Sequence, residues 1–326
     1  MDSVAGLLDG PRARDAFLLR SVLDPPWSMR IEDEAPLTLV AVVRGGAYLC
    51  GRPGTDAAPG AEVSLGPGDT AVLRGPEPYT VADRPGTPPQ VVILPGQRCA
   101  APDGGEVAMT TLGVRTWGNS ADGETELLTG TYQLPGETSR RLLAALPPLL
   151  TVRAADWRAD RRSPLVPLLA EEIVRDEPGQ EAVLDRLLDL LLIATLRTWF
   201  ARPHARAPGW YSAHGDPVVG PALRLLHHEP AHPWTVAELA GRSGVSRAAF
   251  ARRFTELVGE PPMTFLTGWR LTLAADLLRE PGATVASVAR RVGYATPYAF
   301  SAAFTRERGI SPRRHRERGL VRTAEA

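Results

Sequence analysis

The pattern of apolar and polar residues between residues 27 and 132 is typical of short β-strands. Runs rich in β-branched residues alternate with turn sequences such as Gly45-Gly46 and 66–69. We predict strands at 37–44, 47–51, 61–65, 70–73, 79–82, 91–94, 110–117 and 126–132. Short strands at this spacing are expected to form a small barrel or jelly roll.

Helical patterns flank this β-rich region. Residues 4–23 are predicted as a short amphipathic helix that ends at Asp24-Pro25-Pro26, and 139–146 and 164–176 are also expected to be helical. A longer helix is predicted from about Gln180 to Phe200. Its apolar residues cover more than one face: Leu184, Leu187, Leu188, Leu191, Leu192, Leu196 and Trp199. This helix fits two interpretations, an ordinary core helix or the interface of a homodimer.

A duplicated motif, Val-x-x-(Leu/Val)-Ala-x-x-x-Gly, occurs in the last third of the chain. It begins at Val236 and again 49 residues later at Val285. The Ala allows two helices to cross closely, and the Gly supplies the positive φ of a tight turn. Ser246 and Thr296 follow as helix N-caps. Each copy therefore predicts a helix-turn-helix.

Beyond the turn glycine the two copies align at an offset of 50, so the second turn has one extra residue. This offset pairs Phe250 with Phe300 and Phe254 with Phe304. Residues four apart lie on one face of a helix, so each Phe pair is expected to face a core. Polar residues then occupy the opposite face, which is available to DNA.

The charge distribution supports an interaction with DNA. The chain has 37 basic and 37 acidic residues and a formal net charge of zero. From Asp216 to the end there are 16 Arg and 10 acidic residues, so the helix-turn-helix region is basic and the remainder is acidic. A localised positive field is expected of a protein that contacts phosphates. The chain contains no Lys, so these cations are all guanidinium groups.

The C-terminal region resembles the AraC/XylS family of transcription regulators. The similarity covers about residues 219–318 and includes the Leu-Ala-x-x-x-Gly turn, the segment 259–266, Val292-Gly293-Tyr294 and the ending 304–312. It implies a connecting helix at about Met263–Leu278 and two recognition helices, about one turn of DNA apart, in successive major grooves. The N-terminal region is similar to the cupin-type sensor domain of many members.

The expected fold class is therefore α+β, with a cupin-like β-barrel and an all-α double helix-turn-helix domain. We predict a cupin-like effector or sensor domain at 1–134 and a helical, dimerising segment at 135–203. A Pro- and Gly-containing linker at 204–217 then precedes the DNA-binding domain at 218–326.

The resemblance also implies which residues contact DNA. Arg252 occupies a position that commonly contacts a base, and a guanidinium can bind O6 and N7 of guanine together. In the second unit Ala302 stands where a long polar side chain is common, so base contacts are expected to be weaker there. The expected DNA-contacting residues are Ser246, Arg247, Ala248, Arg252, Arg253, Thr296, Tyr298, Ser301, Arg306 and Arg313.

The barrel region lacks the residues of a metal-dependent cupin enzyme. The six His residues all lie at position 204 or later, and a His-based metal site needs several of them inside the barrel. Consecutive His227 and His228 point about 100° apart on a helix, which argues against joint ligation. We expect no enzyme activity, no metal and no cofactor.

The two Cys residues leave two interpretations open. Cys50 and Cys99 fit simple packing or incidental exposure. They also fit a redox switch, in which the neighbouring Arg98 lowers the pKa of Cys99 and oxidation bridges the two thiols.

The sequence thus predicts a cytoplasmic transcription regulator that binds double-stranded DNA as a homodimer and contains no membrane segment. Its barrel is expected to sense a small molecule or an oxidant, with RNA polymerase as a candidate second partner. The alternatives are a DNA-binding scaffold that senses no ligand and a cupin-type enzyme.

Overall fold

The computed structural model describes residues 17–50, 62–103, 107, 109–133, 136–157, 165–202 and 208–324. These residues form two compact units. The β-rich unit takes its residues from the ranges 11–134 and 143–206, and the helical unit from 135–142 and 207–326. This division differs from the predicted one, because most of the segment 135–203 belongs with the strands.

The β-rich unit contains two sheets. Its described strands are β1 (Phe17–Leu23), β2 (Ser28–Ile31), β3 (Leu37–Arg44), β4 (Ala47–Cys50), β5 (Val63–Leu65), β6 (Thr70–Arg74), β7 (Tyr79–Ala82), β8 (Val91–Leu94), β9 (Arg98–Ala100), β10 (Thr110–Gly113), β11 (Thr116–Gly118), β12 (Thr125–Tyr132) and β13 (Leu149–Val152). One sheet has the order β10-β11-β1-β12-β3-β6-β13 and the other β5-β4-β7-β2-β8-β9. The core between them contains Trp27, Val40, Leu73 and Leu127.

The first strand corrects a sequence prediction. Residues 17–23 form β1 rather than the end of a helix, whereas residues 4–16 of that predicted helix lie outside the described residues. β1 pairs with β12 along its whole length, antiparallel from Phe17↔Thr131 to Leu23↔Thr125, and with β11 in parallel. These hydrogen bonds with strands about 100 residues away outweigh a local helical pattern.

Three helices follow the strand β12: α1 (Glu137–Ala145), α2 (Leu165–Ile173) and α3 (Gln180–Phe200). Leu188 and Leu192 on α3 are each only 1% exposed. A Cβ on Gly130 would lie 2.6 Å from Leu188, and the Tyr132 hydroxyl donates to the Leu188 carbonyl. This face of α3 is therefore core. Four other apolar residues in or next to α2 and α3 are exposed: Leu168, Val174, Val183 and Leu190.

The helical unit contains α4 (Gly209–Ser212), α5 (Val219–His228), α6 (Val236–Arg242), α7 (Arg247–Val258), α8 (Pro262–Leu277), α9 (Val285–Arg291), α10 (Pro297–Arg308) and α11 (Pro312–Ala324). The predicted linker extends into this unit, because Trp210 and Ala213 are buried in its first core. Among the helices that the structure describes, none is both long and apolar enough to cross a membrane.

Two separate cores support the two helix-turn-helix motifs. The first subdomain packs α4–α7 around Phe250 and Phe254, and the second packs α9 and α10 around Phe300 and Phe304, with His315 of α11 against the Phe304 ring. The connecting helix α8 contributes Phe265 and Trp269 to the first core, and later residues such as Leu271 and Ala275 to the second. All four Phe side chains are fully buried.

The two turn glycines have similar backbones but different surroundings. Gly244 has a φ of +69° and Gly293 a φ of +82°, which L-residues with a side chain seldom adopt. A Cβ on Gly244 would meet nothing within 4 Å. A Cβ on Gly293 would lie 2.5 Å from the carbonyl oxygen of Ala231, so this turn also packs against the loop that precedes α6.

We expect Gly244→Ala to lower the free energy of unfolding by about 1 kcal/mol, the cost of a positive φ. Gly293→Ala should cost about 3 kcal/mol, because the methyl group must also displace the backbone of Ala231. Urea denaturation of the two variants would measure this difference. Equal losses would contradict the packing described for the second turn.

Candidate DNA interface and effector cavity

The first recognition helix, α7, begins immediately after its cap. The Ser246 hydroxyl accepts a hydrogen bond from the Ala249 N–H at 3.2 Å. Ser246, Arg247 and Ala248 are all exposed at this N-terminal end, where recognition helices commonly contact bases. Because Phe250 and Phe254 occupy the buried face, the opposite face is directed away from the core.

Neighbouring arginines on α7 have different environments. Arg252 is exposed, and its Nε lies 3.8 Å from Glu256, too far for a strong hydrogen bond. Arg253 instead binds the Asp216 carboxylate through Nε and Nη2, at 3.0 and 2.6 Å. The Arg253 hydrogen bond, together with the N–H groups of Val219 and Val218, lowers the pKa of Asp216 to about 2. The charge of Arg253 is thus offset within the subdomain, whereas Arg252 remains available.

The second recognition helix, α10, has the same architecture and a different surface. The Thr296 hydroxyl caps it by accepting from the Ala299 N–H at 3.1 Å. Tyr298 is 86% exposed, while Ser301 is half-buried. Arg306 is exposed in the last turn of the helix. Ala302 takes the position equivalent to Arg252, so this helix presents an aromatic ring and a methyl group.

The helix α11 adds cations beyond the second motif. Arg313 is 80% exposed in its side chain, and its Nε lies 3.0 Å from Glu317 one turn later. Such exposed pairs are weak and exchange readily for phosphate contacts. Arg316 instead donates to the carbonyl of Ala283, and His315 hydrogen-bonds the carbonyl of Ala275. Of the two arginines, Arg313 is therefore the more available for phosphate contacts.

A cavity of about 230 Å³, partly open to solvent, lies between the two sheets of the β-rich unit. Alternate residues of β12, Leu127, Thr129 and Thr131, form part of its wall, because successive strand residues point to opposite faces. Most other lining residues are apolar or aromatic: Phe17, Leu19, Met29, Ile31, Val40, Tyr79, Val81, Ile93, Met109 and Trp117. The described lining contains no cationic side chain.

Polar groups occur at a few positions of this wall. Asp33 accepts hydrogen bonds from the Ala35 N–H at 3.1 Å and from Gln97 Nε2 at 3.2 Å. The indole N–H of Trp117 is buried and has no acceptor among the described residues. A buried donor without a partner is costly unless a bound group accepts its hydrogen bond. The same wall also carries the hydroxyl groups of Ser21, Thr110, Thr111, Thr129 and Thr131, so its hydrogen-bonding capacity does not rest on Trp117 alone.

The two Cys residues are too far apart for the bridge that the sequence suggested. Both lie in the six-stranded sheet, with β7, β2 and β8 between the strand of Cys50 and that of Cys99. Four strand spacings of about 4.8 Å separate them, whereas a disulfide requires Cα atoms within about 7 Å. An intramolecular bridge is incompatible with this arrangement.

The expected activation of Cys99 by Arg98 is also contradicted. Burial raises the pKa of Cys99, and Arg98 directs its Nε to the Pro95 carbonyl. Burial, with a further contribution from Glu62, raises the pKa of Cys50. Cys99 lines the cavity between the two sheets, whereas Cys50 does not.

His227 has a structural role in the first subdomain. Its Nδ1 lies 2.8 Å from the Leu223 carbonyl, and its ring packs edge-on against Phe265 and Trp269. Burial lowers the pKa of His227 to about 4, so the ring is neutral at physiological pH. No cluster of potential metal ligands occurs among the residues that the structure describes.

Both halves of the chain match known families. Residues 2–201 match the family described as Cupin, and residues 239–318 match the Helix-turn-helix domain. A putative AraC-like transcription regulator of Streptomyces lividans is 32% identical over 319 residues, which are 97% of this chain and 98% of that protein. The chain belongs to the AraC-like transcription regulators. This membership agrees with the expectation of a regulator rather than an enzyme.

Other relatives cover different shares of the chain. The regulator AlkR of Acinetobacter baylyi is 34% identical over 178 residues, which are 54% of this chain and 58% of AlkR. Among solved structures, the DNA-binding domain of AdpA in complex with a target DNA is 32% identical. It covers 34% of this chain and 100% of the AdpA domain, with a TM-score of 0.32.

The cavity residues were not predicted as a site. Their signal was present in the sequence, since residues 127, 129 and 131 share one face of a strand and two of them are Thr among apolar neighbours. Only the pairing of the sheets shows that this face is directed to a cavity rather than to a filled core.

Proposed function

We propose that this AraC-like regulator binds a specific DNA sequence through α7 and α10 and responds to a small molecule in the β-barrel cavity. The observation that carries the first part is the matched capping and burial of the two recognition helices. Each helix buries a Phe pair, each is capped by a hydroxyl at its N-terminus, and the two are joined by α8. The exposed residues of both helices are then available to one DNA duplex.

The two recognition helices contribute differently to this function. Arg252 supplies an exposed guanidinium, held only by a long, weak ion pair with Glu256, for a guanine in the major groove. At the equivalent position of α10 the methyl group of Ala302 has no hydrogen-bonding reach, and Tyr298 and Arg306 contact the backbone or a thymine methyl group. The first helix therefore provides most of the sequence preference, and the second provides affinity and spacing.

The chemistry of the cavity wall favours an uncharged, mainly apolar effector with a small number of polar atoms. Apolar and aromatic side chains form more than half of the wall, several hydroxyl groups can each make a hydrogen bond, and the described lining residues include no cation for an anionic group. The volume of about 230 Å³ limits the effector to a small molecule. An oxidant acting through Cys99 alone remains the second candidate signal, since this thiol lines the same cavity.

The outward face of α2 and α3 is proposed to bind a second copy of the chain. Val183 and Leu190 lie seven residues apart on one side of α3, Leu168 is exposed on α2, and Val174 is exposed in the turn that follows α2. One apolar patch on each protomer can form a self-complementary interface about a two-fold axis. The sequence predicted an interface on α3. Leu188 and Leu192 are core residues, so the proposed interface lies instead on the exposed side of this helix.

Arg252→Ala should weaken specific DNA binding by about 1–3 kcal/mol and relax the preference at one or two base pairs. Arg253→Ala is the matched control, because its guanidinium already binds Asp216 and its loss should leave the preference unchanged. Competition binding would use a duplex selected by the wild type from a randomised pool, together with its single-base variants. A preference profile unaltered by Arg252→Ala would exclude this residue from base recognition.

Acetophenone, an uncharged aromatic ketone, should bind in the cavity and slow the labelling of Cys99 by a thiol reagent. Cys50 is an internal control, because it does not line the cavity. Benzoate should bind about tenfold more weakly or worse, because its charge would be buried without a cation. Equal protection by the two compounds, or equal slowing at both thiols, would contradict the proposed effector class.

Leu190→Arg should convert a dimer to a monomer and change the free energy of unfolding by no more than about 0.5 kcal/mol, since Leu190 is 48% exposed. Leu188→Arg should instead unfold the β-rich unit, because it places a charge in the core. Sedimentation and thermal denaturation would distinguish the two variants. A wild type that sediments as a monomer at micromolar concentration would argue against the interface.

A further inference from the structure

The N-terminus of α1 is capped by a side chain from the connecting helix α8. The Asp276 carboxylate accepts hydrogen bonds from the Glu137 N–H at 2.6 Å, from the Thr138 N–H at 3.0 Å and from the Thr138 hydroxyl at 2.7 Å. A Cβ on Gly136 would lie 3.1 Å from Asp276, so glycine permits this close approach. Because first-turn N–H groups have no partner within their own helix, Asp276 attaches α1 to α8.

Glu137 extends this attachment to the second subdomain. Its carboxylate accepts a hydrogen bond from Arg308 Nη1 at 2.6 Å and lies 3.6 Å from Arg279. Burial alone would raise the pKa of Glu137, but the Arg308 hydrogen bond and the charges of Arg140, Arg308 and Arg279 outweigh it and lower the pKa. The Nε atoms of Arg279 and Arg308 are buried without acceptors among the described residues. Both cations therefore depend on the Glu137 carboxylate.

Arg141, one helical turn later, contacts the first subdomain. Its guanidinium lies 5.1 Å from the centre of the Phe265 ring, and Nη2 lies 3.8 Å from Glu260. Glu260 follows the C-terminus of α7, and Arg308 is the last residue of α10. The segment 136–142 thus contacts both motifs at the C-terminal ends of their recognition helices and leaves the N-terminal ends exposed.

We propose that residues 136–142, which we call the brace, fix the angle between the two helix-turn-helix subdomains and so set the spacing of DNA elements that they bind. The subdomains have separate cores and share α8. A second link is the loop at 230–232, which binds Arg270 and packs on Gly293. The brace adds a third connection between the subdomains, made by a segment that is distant in sequence. It holds the C-terminal ends of α7 and α10, which are the ends that contact DNA least.

This proposal rests on the DNA binding proposed above and makes a separate claim about spacing. One inserted base pair moves the second DNA element by about 3.4 Å along the duplex and rotates it. Two subdomains held rigidly cannot follow that change, whereas released subdomains can turn about α8. The ratio of the affinities for the intact duplex and for the duplex with the insertion therefore measures how rigidly the two subdomains are held together.

The test compares Glu137→Gln and Asp276→Ala with the wild type in the full chain. Asp276→Asn keeps an acceptor for the cap and should restore much of the Asp276→Ala loss. Glu280→Gln is the matched control, because it removes a carboxylate that pairs with Arg291 and does not contact the brace. The probes are the duplex selected by the wild type, a version with one base pair inserted between its two elements, and a version that keeps only the first element.

Hydrogen exchange at the Glu137 and Thr138 amides, measured without DNA, shows whether the brace is released. We expect slow exchange in the wild type and fast exchange in Asp276→Ala. Both brace variants should bind the intact duplex on the order of tenfold more weakly and lose most of their discrimination against the insertion. Their affinity for the first element alone should equal that of the wild type and of Glu280→Gln.

Two results would overturn the proposal. One is rapid exchange of the Glu137 and Thr138 amides in the wild type, which would mean that the brace is not docked. The other is an unchanged preference for spacing in variants whose brace amides exchange rapidly. If no duplex is selected at all, the proposed DNA binding itself fails, and hydrogen exchange still reports separately on the docking of the brace.

Discussion

The helical unit depends on the burial of two phenylalanine rings in each helix-turn-helix. The rings of Phe250 and Phe254 have centroids 5.7 Å apart, and those of Phe300 and Phe304 are 5.6 Å apart. Each ring is fully buried, and aromatic side chains contribute large apolar areas to small cores. Since the rings fix which side of each helix faces inward, they also fix which residues remain for DNA.

Because both recognition helices bury a Phe pair in the same way, the chemical difference between their exposed faces can be compared directly. Arg252 and Ala302 occupy equivalent positions on two helices that are capped and packed in the same way. The difference therefore lies in the side chain and not in the backbone that carries it. In an interface of this kind, one recognition helix can provide specificity through hydrogen bonds to bases, while the other provides surface contact with the second DNA element.

Features with a local cause were the easiest to predict from the sequence. The caps at Ser246 and Thr296, the helix Gln180–Phe200 and strands such as 37–44 follow from spacing, turn residues and apolar periodicity. The strand β1 was missed because its partners β11 and β12 lie about 100 residues away. The separation of Cys50 and Cys99 likewise depends on strand order, which no local pattern encodes.

Long-range partners also determine which of the predicted site residues are paired within the protein and which remain available. Arg252 and Arg253 are adjacent and chemically identical, and only the distant carboxylate of Asp216 distinguishes them. The acidic cap of α1 by Asp276 spans 138 positions in sequence and has no signature near either residue. Such pairings require the tertiary structure, because the geometry of a salt bridge or a cap depends on packing of both elements.

The unequal surroundings of the two turn glycines affect how the duplicated motif can diverge. The first turn needs only a residue that tolerates a left-handed backbone, so Asn is an acceptable replacement for Gly244. At Gly293 the backbone of Ala231 leaves no room for a side chain of any kind. Substitution of the turn glycine is thus more restricted in the second copy of the motif than in the first. In a search for related double motifs, glycine at the second turn is the more informative position.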